Sequence, residues 1–252
     1  IETGKWRNAQ QLLGERSNAE PAQARVIALK QLARLAETRL GDRVKAAEFW
    51  RQAYQGDKSD GEARRALIAA YESLGKWKEY VDLLRIEVDA LPDEDREGRI
   101  AGLRKLVTVI AAHMRQDALL VQLYAKLIEL EPNDQELVGL LVAKYESMRR
   151  WPDLIKLLEG QAEHAEPDDV VGLKLRIAGI YLDRMRNQAQ ALAAYEEVLE
   201  AEPDSREALE SLDTLYEKRR HWEGMIDMRT RLAELEAEPA ARLQRFKDLA
   251  QY

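Results

Sequence analysis

The sequence contains no cysteine, which excludes disulfides, thiolate nucleophiles and cysteine-ligated metal. Proline (7) and glycine (13) are sparse among its 252 residues, and the glycines are isolated, so no Gly-rich phosphate loop is present. Phenylalanine is almost missing, with 2 Phe against 9 Tyr and 5 Trp. No apolar run approaches the roughly 20 residues that a membrane helix requires; the longest, Val107-Thr108-Val109-Ile110-Ala111-Ala112, is far too short. Charge of one sign is never concentrated. The 39 Lys and Arg are interleaved with 46 Asp and Glu, for a net charge of -7. The basic patch that neutralises nucleic-acid phosphates is therefore lacking. These absences predict a chain with no nucleic-acid partner and no direct membrane insertion, soluble and by default cytoplasmic.

What is present is a helix-forming composition, 34% charged and rich in Leu, Ala and Glu, and it repeats. Trp6, Trp77, Trp151 and Trp222 are 71, 74 and 71 residues apart. Each of the last three ends the same phrase: Tyr71-Glu72 before Trp77, Tyr145-Glu146 before Trp151, Tyr216-Glu217 before Trp222. A second series interleaves with the first, as Ala191, Tyr195, Val198 and Pro203, then Leu120, Tyr124, Leu127 and Pro132, then Ala46, Trp50 and Ala53, with Lys58 in place of the proline. Self-similarity of this kind marks stacked helical units. The apolar spacing is helical, as in Leu137, Leu140, Leu141 and Tyr145. It predicts helices near 5–15, 20–39, 43–55, 60–74, 76–90, 94–114, 117–130, 134–148, 151–164, 169–185, 188–201, 205–219, 222–236 and 240–251. Pro92, Pro132, Pro167, Pro203 and Pro239 mark the joints between paired helices. Asp93, Asn133, Asp168 and Asp204 follow as expected N-caps.

These features resemble the tetratricopeptide repeat (TPR) family, whose 34-residue unit is a helical hairpin with small, aromatic and proline landmarks. Gly179, Ala191, Tyr195 and Pro203 match those landmarks, while Tyr181 falls one residue early. Tyr80, Leu154 and Met225 stand where the family usually has Ala. The resemblance is to a divergent array of the long bacterial type, alternating two hairpin forms. It implies an all-α fold, a right-handed superhelical solenoid of antiparallel hairpins, about six to seven in number, running through 1–252 as one continuous domain. Residues 1–15 read as a second helix and 238–252 as a first helix, so the array is expected to continue at both ends. The recurrent Trp77, Trp151, Trp222, Tyr124 and Tyr195 are expected to pack between hairpins.

Chemistry is not indicated. His113, His164 and His221 have no metal-ligand spacing, and nothing selects a nucleophile and base. No catalytic residue, cofactor or metal is assigned, and the chain is expected not to be an enzyme. The resemblance implies instead a protein-interaction scaffold whose first helices line a groove for a protein or peptide partner. Carried over, the groove positions are Arg65, Ala69 and Glu72; Lys105, Val109 and His113; Gly139, Ala143 and Glu146; and Arg176, Ile180 and Asp183. Arg65, Lys105 and Arg176 are the cations expected to meet acidic partner groups. The competing readings are a self-associating structural subunit, which makes a homo-oligomer, and a regulatory helical part of a larger enzyme, motor or secretion complex. One residue breaks its stripe: Arg229 stands where Leu84 and Leu158 stand in the equivalent helices, which points to a rotated helix or a partner carboxylate.

Overall fold

The computed structural model describes residues 8, 11, 12, 14, 15, 22–132 and 134–249. Trp6, Asn133 and most of the first expected helix lie outside the described residues. Among those described there are thirteen α-helices. They are α1 (Ala22–Leu35), α2 (Arg43–Gly56), α3 (Gly61–Ser73), α4 (Trp77–Asp89), α5 (Arg96–His113), α6 (Asp117–Leu130), α7 (Gln135–Ser147), α8 (Trp151–Ala162), α9 (Pro167–Gly179), α10 (Gln188–Ala201), α11 (Arg206–Arg219), α12 (Trp222–Glu234) and α13 (Pro239–Leu249). Short connections make consecutive helices antiparallel neighbours. They pair as six TPR-like hairpins, odd-numbered helix first, with α13 opening a seventh. The residues fall into two compact units divided inside α7, after Leu141.

Four of the six joints between hairpins obey one rule, and it corrects the expected caps. At these joints a tight turn comes before the cap. The Asp60 amide donates to Asp57 O (3.3 Å), Asp134 to Glu131 O (3.2 Å) and Ser205 to Glu202 O (3.1 Å). Pro132 and Pro203 thus sit second in a four-residue turn, where a fixed φ is favourable. The cap is the fourth residue, not the one after proline. Asp60 accepts from the Glu62 and Ala63 amides (2.9 and 3.0 Å), and Asp134 from Glu136 and Leu137 (3.0 and 3.1 Å). Asp95, not Asp93, caps α5. Glu166, not Asp168, and Ser205, not Asp204, stand at the N-caps of α9 and α11, without a side-chain capping bond.

In five of the six hairpins the first helix closes in one of two ways, while α5 of the third runs straight into extended Met114. Before Trp77, Trp151 and Trp222 a left-handed residue ends it: Gly75 (φ 65), Arg149 (φ 54) and Arg220 (φ 56). The next amide donates five residues back, Lys76 to Tyr71 O (3.0 Å), Arg150 to Tyr145 O (2.8 Å) and His221 to Tyr216 O (2.9 Å). This satisfies a carbonyl that the helix end would leave free. In the first and fifth hairpins a π-helical turn intervenes, Ala36–Leu40 and Ile180–Arg184. There the closing bond reaches six residues back, Asp42 to Ala36 O (2.9 Å) and Asn187 to Tyr181 O (2.8 Å). A π turn accommodates one additional residue. That residue is why Tyr181 stands one place early: it occupies the position of Tyr71, Tyr145 and Tyr216.

The core follows the repeat. In the first unit Tyr80, Leu106, Ile110 and Leu127 are fully buried; in the second Leu154, Leu158, Leu209 and Leu212 are. Each such side chain contributes about 1.5–3 kcal/mol by leaving water. Tyr124 and Tyr195 are buried as expected, but the repeating Trp are not. Trp77 and Trp151 are half-buried and Trp222 is 50% exposed. As first residues of their helices they lie at the turn, where Trp77 meets His113 and Trp151 meets Arg184 of the following hairpin without being buried.

Polar staples add to the seam. Lys30 of α1 reaches the α3 cap Asp60 at 2.8 Å. Tyr216 of α11 donates to Glu196 of α10 at 2.6 Å. Arg229 neither rotates its helix nor awaits a partner. Its guanidinium meets Asp213 (2.8 Å) and Glu217 (3.3 Å) on α11, and it and Asp213 are each only 21% exposed.

Three outcomes follow from this geometry. Gly75→Ala forces an L residue into the left-handed region and should cost about 1 kcal/mol, whereas Arg220→Gly should cost nothing or gain up to about 1 kcal/mol. Urea midpoints followed by circular dichroism check both. Asp213→Ala removes one of the two carboxylates that meet Arg229 and should cost roughly 1–2 kcal/mol, while Asp213→Leu with Arg229→Leu should recover most of that loss; unchanged midpoints would show the pair to be idle. Burial, with Glu196 as acceptor, raises the Tyr216 phenol to about 12. Its folded value lies above the unfolded value of about 10, so its contribution is complete below that pH and is lost as pH rises through the folded value. An ultraviolet tyrosinate titration should lose its highest step in Tyr216→Phe and show it lowered in Glu196→Gln.

Candidate interaction groove

In the second unit the first helices of three hairpins, α7, α9 and α11, enclose an open cavity of about 730 Å³. Glu146, Arg176, Ile180 and Asp183, all expected groove positions, line it. Arg176 donates to Glu146 at 2.8 Å, tying α9 to α7. Ile180 is 7% exposed and serves the core as much as the cavity. Ala143, the remaining expected position in this unit, is exposed on α7 and is not among the lining residues.

Sequence reasoning missed five lining residues, Arg149, Trp151, Gly172, Leu175 and Gly179. The π turn moves the register of α9 by one residue, so Gly172, Leu175 and Gly179 also face the cavity. The displaced Tyr181 was the available signal. A methyl group placed on Gly172 or Gly179 would meet nothing within 4 Å, and neither has a positive φ. Both are therefore required by neither packing nor backbone conformation, although each costs a helix interior about 1 kcal/mol relative to Ala. Trp151 lines the cavity as well, with the Arg184 guanidinium 5.7 Å from its ring centroid. Arg149 is held at the rim by its left-handed turn. Among the described residues neither Arg149 nor Arg184 forms an ion pair, and neither do Asp183 and Glu207, which share the lining.

The first-unit positions are arranged differently. Arg65, Ala69 and Glu72 are exposed on α3, Lys105 and His113 on α5, and Gly139 on α7. Val109 is 9% exposed and belongs to the core. Lys105 lies 3.7 Å from Glu72 and 5.6 Å from the Tyr80 ring centroid. The Tyr80 hydroxyl first, with Glu72 adding, holds the ammonium above its ordinary pKa. His113 stacks on Trp77 with ring centroids 3.9 Å apart and planes within 5°. Lys105 and Arg176, expected as free cations, are thus each engaged by a carboxylate of the preceding first helix. Arg65 alone of the three expected cations makes no ion pair among the described residues. No group of three or more His, Asp or Glu able to hold a metal occurs among them either, and none of their helices is long and apolar enough to cross a membrane.

No protein-family model matches the sequence, and no curated protein matches it. Solved structures do. The Naa15/Naa10 structure bound to HypK-THB is 13% identical at TM-score 0.47, and this chain, covered in full, spans 38% of that chain's length. PilF of Pseudomonas aeruginosa is 15% identical over 92% of this chain and 86% of its own, at TM-score 0.37. A tetratricopeptide repeat protein from Parabacteroides merdae is 12% identical over 100% of this chain and 94% of its own, at TM-score 0.36. At such identity and superposition these are similarities of helical-hairpin architecture and carry no activity across.

Proposed function

We propose that this chain is a non-catalytic scaffold that holds an extended segment or helix of a partner protein in the groove between α7, α9 and α11. One observation carries the reading: four of the positions expected from the repeat register, Glu146, Arg176, Ile180 and Asp183, line one cavity of about 730 Å³, which two glycines that nothing in the fold requires line as well. Exposed backbone at Gly172 and Gly179 lets a partner chain approach closely. Trp151 offers a flat apolar wall, and aromatic walls are preferred anchors at interfaces. Arg149 and Arg184, with Asp183 and Glu207, supply charges of both signs for fixing direction. The reading treats 1–252 as one array, as the unbroken sequence period implies. Lys105 and Arg176 act mainly within the array, and Arg65 remains available to an acidic group.

The test is peptide selection against the full chain from a random displayed library, followed by affinity measurement on variants. Gly179→Leu projects a side chain into open space and should leave helicity intact. It should weaken enriched peptides about tenfold or more, the equivalent of roughly 1.4 kcal/mol. Arg184→Glu should weaken the acidic members of the set selectively. Peptides that bind both variants as tightly as the parent chain would remove the groove from consideration.

A further inference from the structure

A second cavity in the same unit has a different origin. It measures about 540 Å³ and lies among α8, α9 and α10. On α9 and the π turn that follows it the lining runs Val170, Lys174, Ile177 and Tyr181. At about 100° per residue this stripe faces roughly half a turn away from the Gly172, Leu175 and Gly179 stripe of the groove. The two cavities therefore use different faces of one helix.

The repeat explains the space. Three residues after the start-of-core position in each second helix stand Phe49, Leu83, Leu123, Leu157, Ala194 and Met228. Five of the six hairpins place a large apolar side chain there, and Leu83, Leu123 and Met228 are buried by it. The fifth hairpin alone has alanine, and Ala194 lines the cavity. Part of the cavity is thus a side-chain position that the other hairpins fill from within.

Its rim is acidic. Glu159 on α8 and Glu163 at its C-terminal cap, four residues apart, are exposed and form no ion pair among the described residues. Glu197 on α10 meets Lys174, the only cation in the lining, at 3.7 Å, with side chains 62% and 31% exposed. Three carboxylates thus face one ammonium around an apolar floor. Burial first, then Glu159 and Glu197, hold the Tyr181 phenol above its ordinary pKa, so these carboxylates act across the site.

We infer that this cavity is a second docking site, which receives a large apolar side chain from a basic amphipathic helix of a partner protein. The apolar side chain takes the place left by Ala194, and Lys or Arg a turn away on the partner pairs with Glu159 and Glu163. The inference does not rest on the groove reading, because it uses another face of α9 and a partner of defined charge.

The probe is a fluorescein-labelled peptide of Leu and Lys in amphipathic helical pattern, compared with the same peptide carrying Glu for every Lys. Amide chemical shifts of the full chain locate the site. The expected result is perturbation centred on Ala194 and the adjoining turns of α8 and α9, seen with the Lys peptide and not with the Glu peptide. Ala194→Leu restores the side chain of the other hairpins and should lower affinity about tenfold or more, as loss of a buried apolar anchor does. Glu159→Lys with Glu163→Lys should weaken binding comparably at low salt and less at high salt. Gly179→Leu, which blocks the groove, should leave this binding unchanged. Should Ala194→Leu fail to fold, the charge-reversed pair, which lies at exposed positions, decides. Shifts that fall in the groove or scatter over the surface, equal binding of the Glu peptide, or unchanged affinity in the folded variants would overturn the inference.

Discussion

A two-helix hairpin exposes more apolar surface than its own seam can cover, and everything in this molecule answers to that shortage. Tyr80, Leu154 and Met225, the first core residues of three second helices, are each 0% exposed. In a stacked array such burial needs the next hairpin as well as the side chain's own. Within each unit stability is then shared between neighbouring hairpins, and the residues that hold neighbours together matter as much as those within a hairpin. Lys30 to Asp60, Arg176 to Glu146 and Tyr216 to Glu196 are bonds of this second sort. Helix termini are tied into the same scheme, since Asp60 both caps α3 and receives the α1 ammonium.

The arrangement also explains where binding surface can arise. Faces committed to neighbours are unavailable, so recognition falls to whatever the stack leaves open. In the second unit two such places exist on α9 alone. One is open because glycines withhold side chains from the first-helix face. The other is open because one alanine withholds a side chain that the other hairpins supply. Neither opening comes from a loop, and both are held by rigid helices, which favours partners that bind without remodelling the site.

Much of this was legible in the sequence, for physical reasons. Helix positions and pairing could be read because the apolar stripe and the spacing of Trp, Tyr and Pro repeat across several copies, which averages out local ambiguity. Glu146, Arg176, Ile180 and Asp183 were placed on one cavity by the same register. Other features were hidden. The caps Asp95 and Asp134 stand beyond the proline because a turn must close before a helix can start, and turn length is not written in proline alone. The Trp residues repeat as faithfully as core residues do, yet they lie at the turns, since periodicity reports equivalence of place and not depth. Lys105 and Arg176 looked free because their carboxylate partners are more than twenty residues away in sequence. Arg229 broke its stripe because its carboxylate partners, Asp213 and Glu217, stand on the preceding helix.

The π turn in α9 has a consequence beyond its own residues. An extra residue in an ordinary helix would rotate every later side chain by about 100° and scramble each contact downstream. Here the surplus is confined between Ile180 and Asn187, and Ala191 and Tyr195 recover the spacing of Ala46 and Trp50. The fold thus has a place where a change in length is absorbed instead of transmitted. Insertions and deletions of one residue at the ends of first helices become tolerable steps in the divergence of such an array, and the face of α9 that precedes the turn can be re-aimed while the rest of the stack keeps its phase.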